Sequence, residues 1–141
     1  MGNSKGKITG LGGVFFKCQN PQALNDWYRD VLGMTPNEYG VLFEIAPFSG
    51  TPKYMQLGTF AETSNYFEPS KKNFMLNFRV DHMESFLAKI AEKGVLPLGE
   101  IEEYEYGKFA HIMDIEGNKI ELWEPIDSSF FDEDSISTMF I

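Results

Sequence analysis

The sequence predicts an α+β fold in which two similar halves share one curved sheet. A strand pattern followed by a helix pattern occurs twice, and each half continues with two or three further strand-like runs. Gly33 and Gly94, which end the two helix patterns, are 61 positions apart, and the strand residues Phe16 and Phe78 are 62 apart. Neither half is large enough to bury a sheet face alone. We therefore expect one mixed, mostly antiparallel sheet with the helices outside and a concave cavity inside.

The 141 residues are the length of a single domain. We expect a first module at about residues 8–61 and a second at about 74–125, joined by a polar linker at about 62–73. An acidic tail with scattered aromatic residues follows at 126–141. We expect this tail to be ordered only if it docks on the rest of the chain.

The first module begins with a strand at residues 8–18. Asn20 and Pro21 then form a typical helix start, because Asn caps the first turn and Pro has the φ that this turn needs. Gly33 predicts the end of the helix. Strand-like runs follow at residues 41–47 and 53–60. The apolar residues that recur at helical spacing are Leu24, Trp27, Tyr28, Val31 and Leu32.

The second module repeats this order. Residues 74–80 alternate as a strand, and Asp81 with Glu84 three positions later predicts a capping box at the start of a helix. His82, which follows the cap, is expected to be exposed. Strand-like runs follow at residues 95–101, 108–114 and 118–125. The apolar residues of the predicted helix are Met83, Phe86, Leu87 and Ile90.

The last two of these runs flank a turn signal at residues 114–118 and predict a hairpin. If Met113 and Lys119 close the loop, His111 lies opposite Glu121 and both side chains point to one face. Glu121 is an acidic residue in an apolar strand, where a carboxylate needs a hydrogen-bond partner, a metal or a proton. The alternative is that both side chains face solvent as ordinary surface neighbours.

Composition argues against several classes of function. A formal net charge of −9 disfavours nucleic-acid binding, which needs a basic surface. No apolar run approaches the length of a membrane span, and the first residues lack the apolar segment of a signal peptide. We therefore expect a cytoplasmic protein without a membrane partner. The single cysteine, Cys18, excludes an internal disulfide.

With this repeat, the chain resembles the vicinal oxygen chelate superfamily, the glyoxalase and bleomycin-resistance fold built from paired βαβββ modules. The resemblance covers about residues 8–125 and is most specific in DWYRDVLGM, NFRVDHMESF and DIEGNKIELWEP. Members commonly carry D-P-x-G-N-x-x-E-L in the last segment, where this chain has Ile115 in place of the proline. The resemblance implies a homodimer, and it leaves open whether the modules pair within one chain or across two.

Metal-using members of this superfamily place four ligands on the inner face, one from an early and one from a late strand of each module. The resemblance puts the late positions at Gln56 and Glu121 and the early ones at Gly13 and Met75. Glycine has no side chain to offer, and a thioether suits copper(I) rather than hard divalent ions. We therefore expect no metal and no other cofactor. The alternative is a divalent-metal lyase or isomerase of glyoxalase type that uses Glu121, Gln56 and His111.

Our interpretation is a metal-independent, glyoxalase/bleomycin resistance-like protein that binds a small molecule in the cavity, with or without transforming it. Without a metal, Glu121 is the candidate general base and His111 its partner. The competing interpretations are ordinary core packing of the aromatic residues and a purely structural dimer module whose cavity is filled by side chains. The candidate ligand-binding residues are Phe15, Gln56, Tyr54, Asn77, Phe109 and Trp123. Arg79 shares a strand with Asn77 and is expected to face solvent or to pair with an acidic surface residue.

Overall fold

Strands of both modules form one curved, mixed sheet in the computed structural model, which describes the backbone of residues 5–46, 50–131 and 136–140. The first module consists of β1 (Ile8–Cys18), α1 (Pro21–Leu32), β2 (Pro36–Asn37), β3 (Gly40–Ala46) and β4 (Lys53–Ala61). The second consists of β5 (Phe74–Val80), α2 (Met83–Ala91), β6 (Glu102–Tyr104), β7 (Gly107–Met113) and β8 (Lys119–Pro125). A short 3-10 helix, Asp127–Phe130, and β9 (Ser137–Phe140) complete the described chain.

The two modules meet edge to edge at the centre of the sheet, where β1 and β5 pair antiparallel. The strand order is β2-β3-β4-β1-β5-β8-β7-β6, with β9 pairing parallel to β3. Within each module the first strand pairs parallel with the last, β1 with β4 and β5 with β8. The predicted fold of two βαβββ modules is therefore confirmed. The modules pair within one chain.

The β7–β8 hairpin has the predicted register. Met113 pairs with Lys119, and His111 with Glu121. One carboxylate oxygen of Asp114, Oδ1, accepts hydrogen bonds from the backbone N–H groups of Glu116 and Asn118 at 2.8 and 2.9 Å. The Asn118 side chain donates to the other oxygen, Oδ2, at 2.8 Å, and this bond, followed by the backbone bonds, lowers the pKa of Asp114. A short loop closed in this way fixes which residues of the two strands face each other.

The first helix has the predicted ends. The Asn20 side chain accepts a hydrogen bond from the backbone of Ala23 at 2.9 Å, and Gly33 takes a left-handed conformation with φ of 72°. Its predicted apolar face is only partly buried, since at least half of each side chain of Trp27, Val31 and Leu32 is exposed.

The homodimer that the resemblance implies stays a prediction. No helix in the described ranges has both the length and the apolar character that crossing a bilayer requires.

The second helix begins differently from the prediction. The predicted capping box is wrong, because Asp81 accepts instead from the backbone N–H groups of Gly6 and Lys7, each at 2.8 Å. The N–H of Met83, the first helical residue, donates to the carboxylate of Glu124 on β8 at 2.6 Å. A partner that is distant in sequence therefore replaces the local cap.

The predicted strand at residues 95–101 is also wrong. This segment is irregular, and the strand beside β7 is the three-residue β6. Pro97 has no N–H to donate to a neighbouring strand, and Gly99 has a φ of 82° that breaks the extended conformation. Two backbone N–H groups of the segment bond outside a strand ladder: Val95 donates to the carbonyl of Ile90 at 3.0 Å, and Leu98 to the carbonyl of His111 at 2.7 Å.

The segment predicted as a polar linker is packed against the sheet. Phe67 is fully buried and contacts Phe15 and Met75, and Ser70 is 6% exposed. Burying a phenylalanine contributes on the order of 2–3 kcal/mol, so these residues form part of the core rather than a free connection. The aromatic pair Tyr66-Phe67 inside a polar run is the sequence signal for this role.

The first residues of the tail dock on the sheet through an ion pair and an aromatic ring. Arg79 is 7% exposed rather than solvent-facing, and it donates to Asp127 at 2.5 Å and to the carbonyl of Tyr54 at 2.9 Å. The guanidinium also lies 5.2 Å from the ring centre of Trp123. Phe130 packs against Tyr54, with 5.0 Å between ring centres. A buried guanidinium needs such a partner, because an unpaired charge is costly away from water.

We predict that Asp127→Asn lowers the free energy of unfolding by about 3 kcal/mol, because it leaves the buried Arg79 guanidinium without a counter-charge. Urea unfolding followed by circular dichroism measures this change. The control is Asp26→Asn, which removes an exposed ion pair with Arg29 and is expected to cost less than about 1 kcal/mol. Equal losses for the two variants would contradict the structural role of the Arg79–Asp127 pair.

Candidate functional site

A cavity of about 830 Å³ opens on the inner face of the sheet. Two groups of contacting aromatic rings line much of it. The first group comes from β1, β4 and the segment after β4, and the second from β7, β8 and the segments beside them. Strand β5 lies between these two sets of strands. The first group consists of Phe15, Phe60 and Tyr66, and the second of Tyr104, Tyr106, Phe109, Trp123 and Phe130.

Glu121 lies between the two groups with its carboxylate almost fully buried, at 3% exposure. Oε1 accepts a hydrogen bond from the Asn77 amide at 2.7 Å. Oε2 contacts His111 Nε2 at 2.9 Å and accepts from the Tyr66 hydroxyl. Protein side chains therefore satisfy both oxygens, which is what a carboxylate in this environment requires. The alternative in which Glu121 and His111 face solvent is wrong.

Tyr66 is the residue of this cluster that sequence reasoning missed. Its ring stacks on Phe60 at 5.6 Å and meets His111 edge-on at 5.5 Å, while its hydroxyl lies 3.3 Å from His111 Nε2. Burial and the charge of Glu121 raise the pKa of Tyr66, so the phenol stays protonated and donates. Lys119 holds the segment by donating to the Tyr66 carbonyl at 2.6 Å.

Three polar residues of the cavity lining, Gln56, Asn77 and Glu121, belong to one row across the sheet, which Gly13 and His111 complete. In register, Gln56 pairs with Gly13, Gly13 with Asn77, Asn77 with Glu121, and Glu121 with His111. Paired residues of adjacent strands point to the same face. The row therefore places residues of both modules side by side at the bottom of one cavity.

Residues 11–122 match the Glyoxalase/Bleomycin resistance protein/Dioxygenase superfamily. The chain belongs to this superfamily. The expected resemblance is thereby confirmed. A comparison with curated proteins finds no match.

Solved structures share the superfamily fold with this chain. The methylmalonyl-CoA epimerase from Mycobacterium tuberculosis aligns with a TM-score of 0.61 at 20% identity, covering 92% of this chain and 95% of the epimerase. A methylmalonyl-CoA epimerase in complex with methylmalonyl-CoA and NH4+ aligns with a TM-score of 0.62 at 18% identity, covering 85% of this chain and 96% of the epimerase. A Streptomyces coelicolor methylmalonyl-CoA epimerase variant in complex with 2-nitronate-propionyl-CoA aligns with a TM-score of 0.62 at 18% identity, covering 85% of this chain and 99% of the epimerase. At these identities the comparison shows a shared fold.

On β5 the row contains Asn77 rather than Met75, the position that the resemblance indicated. Met75 pairs with Phe15 and is fully buried against Phe67, whereas Asn77 is the β5 residue beside Glu121. Asn77 is therefore the early-strand residue of the second module that belongs to the row. Gly13 keeps its predicted place, opposite Gln56.

The side chains of this row do not fit a divalent metal ion. A Cβ atom on Gly13 would lie 2.2 Å from the Gln56 carbonyl oxygen, so the backbone leaves no room for a ligand there. The Gln56 amide donates to the Leu57 carbonyl at 3.0 Å, and the carboxylate of Glu121 already accepts from protein donors. Within the described ranges, no three His, Cys, Asp or Glu side chains cluster as a metal site would need.

Six of the eight predicted site residues line the cavity together: Phe15, Gln56, Asn77, Phe109, Glu121 and Trp123. His111 reaches the site only through Glu121 and Tyr66 and is not among the described residues that line the cavity. Tyr54 lies apart from the cavity, with 1% exposure and its hydroxyl bonded to Glu44 at 2.9 Å. Burial and this bond raise the pKa of Tyr54 to about 12. Tyr54 supports the docked tail.

Gly12 holds Asn77 in place by having no side chain. A Cβ atom there would lie 2.0 Å from Asn77 Oδ1 and 3.0 Å from the Trp123 ring. We predict that Gly12→Ala displaces Asn77 from Glu121 and lowers the free energy of unfolding by about 2 kcal/mol, as overpacking typically does. Chemical denaturation measures this loss.

Gly10 supplies the matched control on the same strand, because a Cβ atom there would meet nothing within 4 Å. Gly10→Ala is expected to leave stability unchanged or slightly raised, since alanine restricts the unfolded chain. A Gly12→Ala variant as stable as Gly10→Ala would contradict the tight contact between Gly12 and Asn77.

Proposed function

We propose that this chain is a metal-independent binding protein of the glyoxalase/bleomycin resistance superfamily, which holds a small organic molecule with a flat body in its cavity. The observation that carries this proposal is the state of Glu121. The resemblance implies a metal ligand at this position, but Asn77, His111 and Tyr66 satisfy the carboxylate. The cavity that Glu121 lines is then available to a small molecule.

The size and lining of the cavity support a binding function. Its volume of about 830 Å³ lies in the range of about 300–1,000 Å³ that small-molecule sites occupy. Such a volume also disfavours the structural dimer module, which would fill the space with side chains. Stacked rings such as Phe109 and Trp123, 5.9 Å apart, present flat faces on which a planar molecule can stack. The amides of Gln56 and Asn77 supply polar groups among these rings.

A second candidate function is proton transfer to or from the bound molecule. Glu121 is the proton acceptor in this case, and the adjacent imidazole of His111 at 2.9 Å is a group through which the proton can be shared. His111 then acts as a positioning residue, because it touches Glu121 and not the cavity. Glu121→Gln would abolish turnover while preserving the binding of uncharged ligands. A metal-dependent lyase of glyoxalase type is the least supported, since the donor set does not fit an ion.

Trp123 is a natural reporter of binding. The chain has two tryptophans, and Trp27 is half exposed on α1. In a Trp27→Phe protein, we predict that planar aromatic compounds which fit the cavity quench the remaining fluorescence saturably and raise the melting temperature. Binding to the folded protein stabilises it by about 2.7 kcal/mol at a hundredfold excess over Kd.

A matched pair of variants tests whether the compounds bind in this cavity. Phe109→Leu removes a ring that lines the cavity and is expected to weaken binding about tenfold or more, since aromatic stacking and burial are lost. Phe74→Leu removes a ring on β5 that is not among the cavity-lining residues and is expected to leave binding unchanged. Failure of every compound to bind, or equal binding by both variants, would contradict the proposed function.

A further inference from the structure

The charged side chains that line the cavity are acidic. Among the described residues that line it there are carboxylates but no lysine or arginine. Three of the carboxylates belong to exposed turn or strand residues near the opening, and the fourth is the buried Glu121. The four are Glu38, Glu102, Glu105 and Glu121.

The nearest cations are committed to other partners. Lys119 lies 5.2 Å from the ring centre of Tyr66 and donates to the backbone carbonyl of the same residue. Arg79 lies beneath the Trp123 ring and pairs with Asp127. Neither residue lines the cavity. The negative charge of the lining therefore faces the cavity without a counter-charge there.

The tyrosines of the lining respond to this charge. A hydrogen bond to Glu102 and the charge of that carboxylate raise the pKa of Tyr104. Burial and then the charge of Glu121 raise the pKa of Tyr66. Nearby carboxylates thus disfavour the negative charge that an ionised tyrosine would carry. The same electrostatic interaction favours a positively charged group in the cavity.

Two further features point to a cation that carries N–H groups. One face of Trp123 already holds the Arg79 guanidinium, and the other rings of the lining attract cations through their quadrupoles by about 0.5–2 kcal/mol for each contact. The carboxylates of Glu38, Glu102 and Glu105 are exposed, and an ionised carboxylate only accepts hydrogen bonds, so N–H donors on a cation form short, charge-assisted bonds with such groups.

We propose that the ligand is a flat organic cation with N–H donors, of the aryl amidinium type, and that the cavity rejects organic anions. This inference rests on the proposed binding function and specifies its ligand class. The cation stacks on the aromatic rings, and the carboxylates of the lining balance its charge. Phosphate-bearing ligands such as acyl-CoA esters find no cationic partner among the described lining residues.

Benzamidine, benzamide and benzoate test this proposal, because they share one shape and are positive, neutral and negative at neutral pH. In titrations of the Trp27→Phe protein, we expect benzamidine to bind at least about tenfold more tightly than benzamide, and benzoate more weakly than either. The preference for benzamidine should shrink as salt rises from about 0.05 M to about 0.5 M, since added ions screen the exposed carboxylates.

Charge-removing variants separate the two proposals. Glu102→Gln with Glu105→Gln should weaken benzamidine about threefold or more and leave benzamide unchanged, because only the cation interacts with the lost charges. The matched control is Glu103→Gln on the same short strand, where the side chain is not part of the lining. A control variant that weakens benzamidine as much as the double variant would overturn the assignment to the cavity.

The outcomes distinguish this inference from the function on which it rests. Equal affinity for benzamide and benzamidine, or a preference for benzoate, would overturn the cationic ligand class while the binding function stands. If none of the three binds and the compounds that quench Trp123 are neutral or anionic, the cationic class is again overturned. If no aromatic compound binds at all, both proposals fail together.

Discussion

The carboxylate of Glu121 is the group on which the arrangement of this site depends. A charge buried in the middle of a sheet must be hydrogen-bonded on every side, because water is not there to solvate it. Asn77 approaches from β5, His111 from β7, and Tyr66 from the segment between the modules. One charge thus ties together three parts of the chain. The same requirement places Tyr66 in the cavity lining and makes the connecting segment part of the cavity wall.

The repeated module gives the two halves of the cavity the same backbone arrangement, but different side chains occupy the equivalent positions. In the second module, the neighbouring positions on the first and last strands hold Asn77 and Glu121, which bond to each other. In the first they hold Gly13 and Gln56, where only a glycine fits against the carbonyl of its neighbour. The buried carboxylate and its hydrogen-bonded partners therefore lie in the second module, and the first module contributes the Gln56 amide and a close backbone contact at Gly13.

The sequence predicted what local rules determine. The pairing of His111 with Glu121 followed from a turn only five residues long, since Asp114 and Gly117 fix the loop and the loop fixes the register. The bonds from Tyr66 and Asn77 to Glu121 join residues 55 and 44 positions apart. The pair of Arg79 and Asp127 spans 48. No periodicity encodes such contacts, which exist only once the modules are packed, so the sequence did not predict the packing of the linker against the sheet, the place of Asn77 beside Glu121 or the burial of Arg79.

The most direct test of this account is whether protein donors or a metal ion satisfy Glu121. Protein purified without chelator is examined for metal by elemental analysis and then melted with nickel, zinc, manganese or iron(II) added in turn. The account predicts no stoichiometric metal and no change in melting temperature at ion concentrations where a specific site would saturate. A melting temperature that rises with the logarithm of one ion's concentration in the native protein, and not in Glu121→Gln, would contradict it.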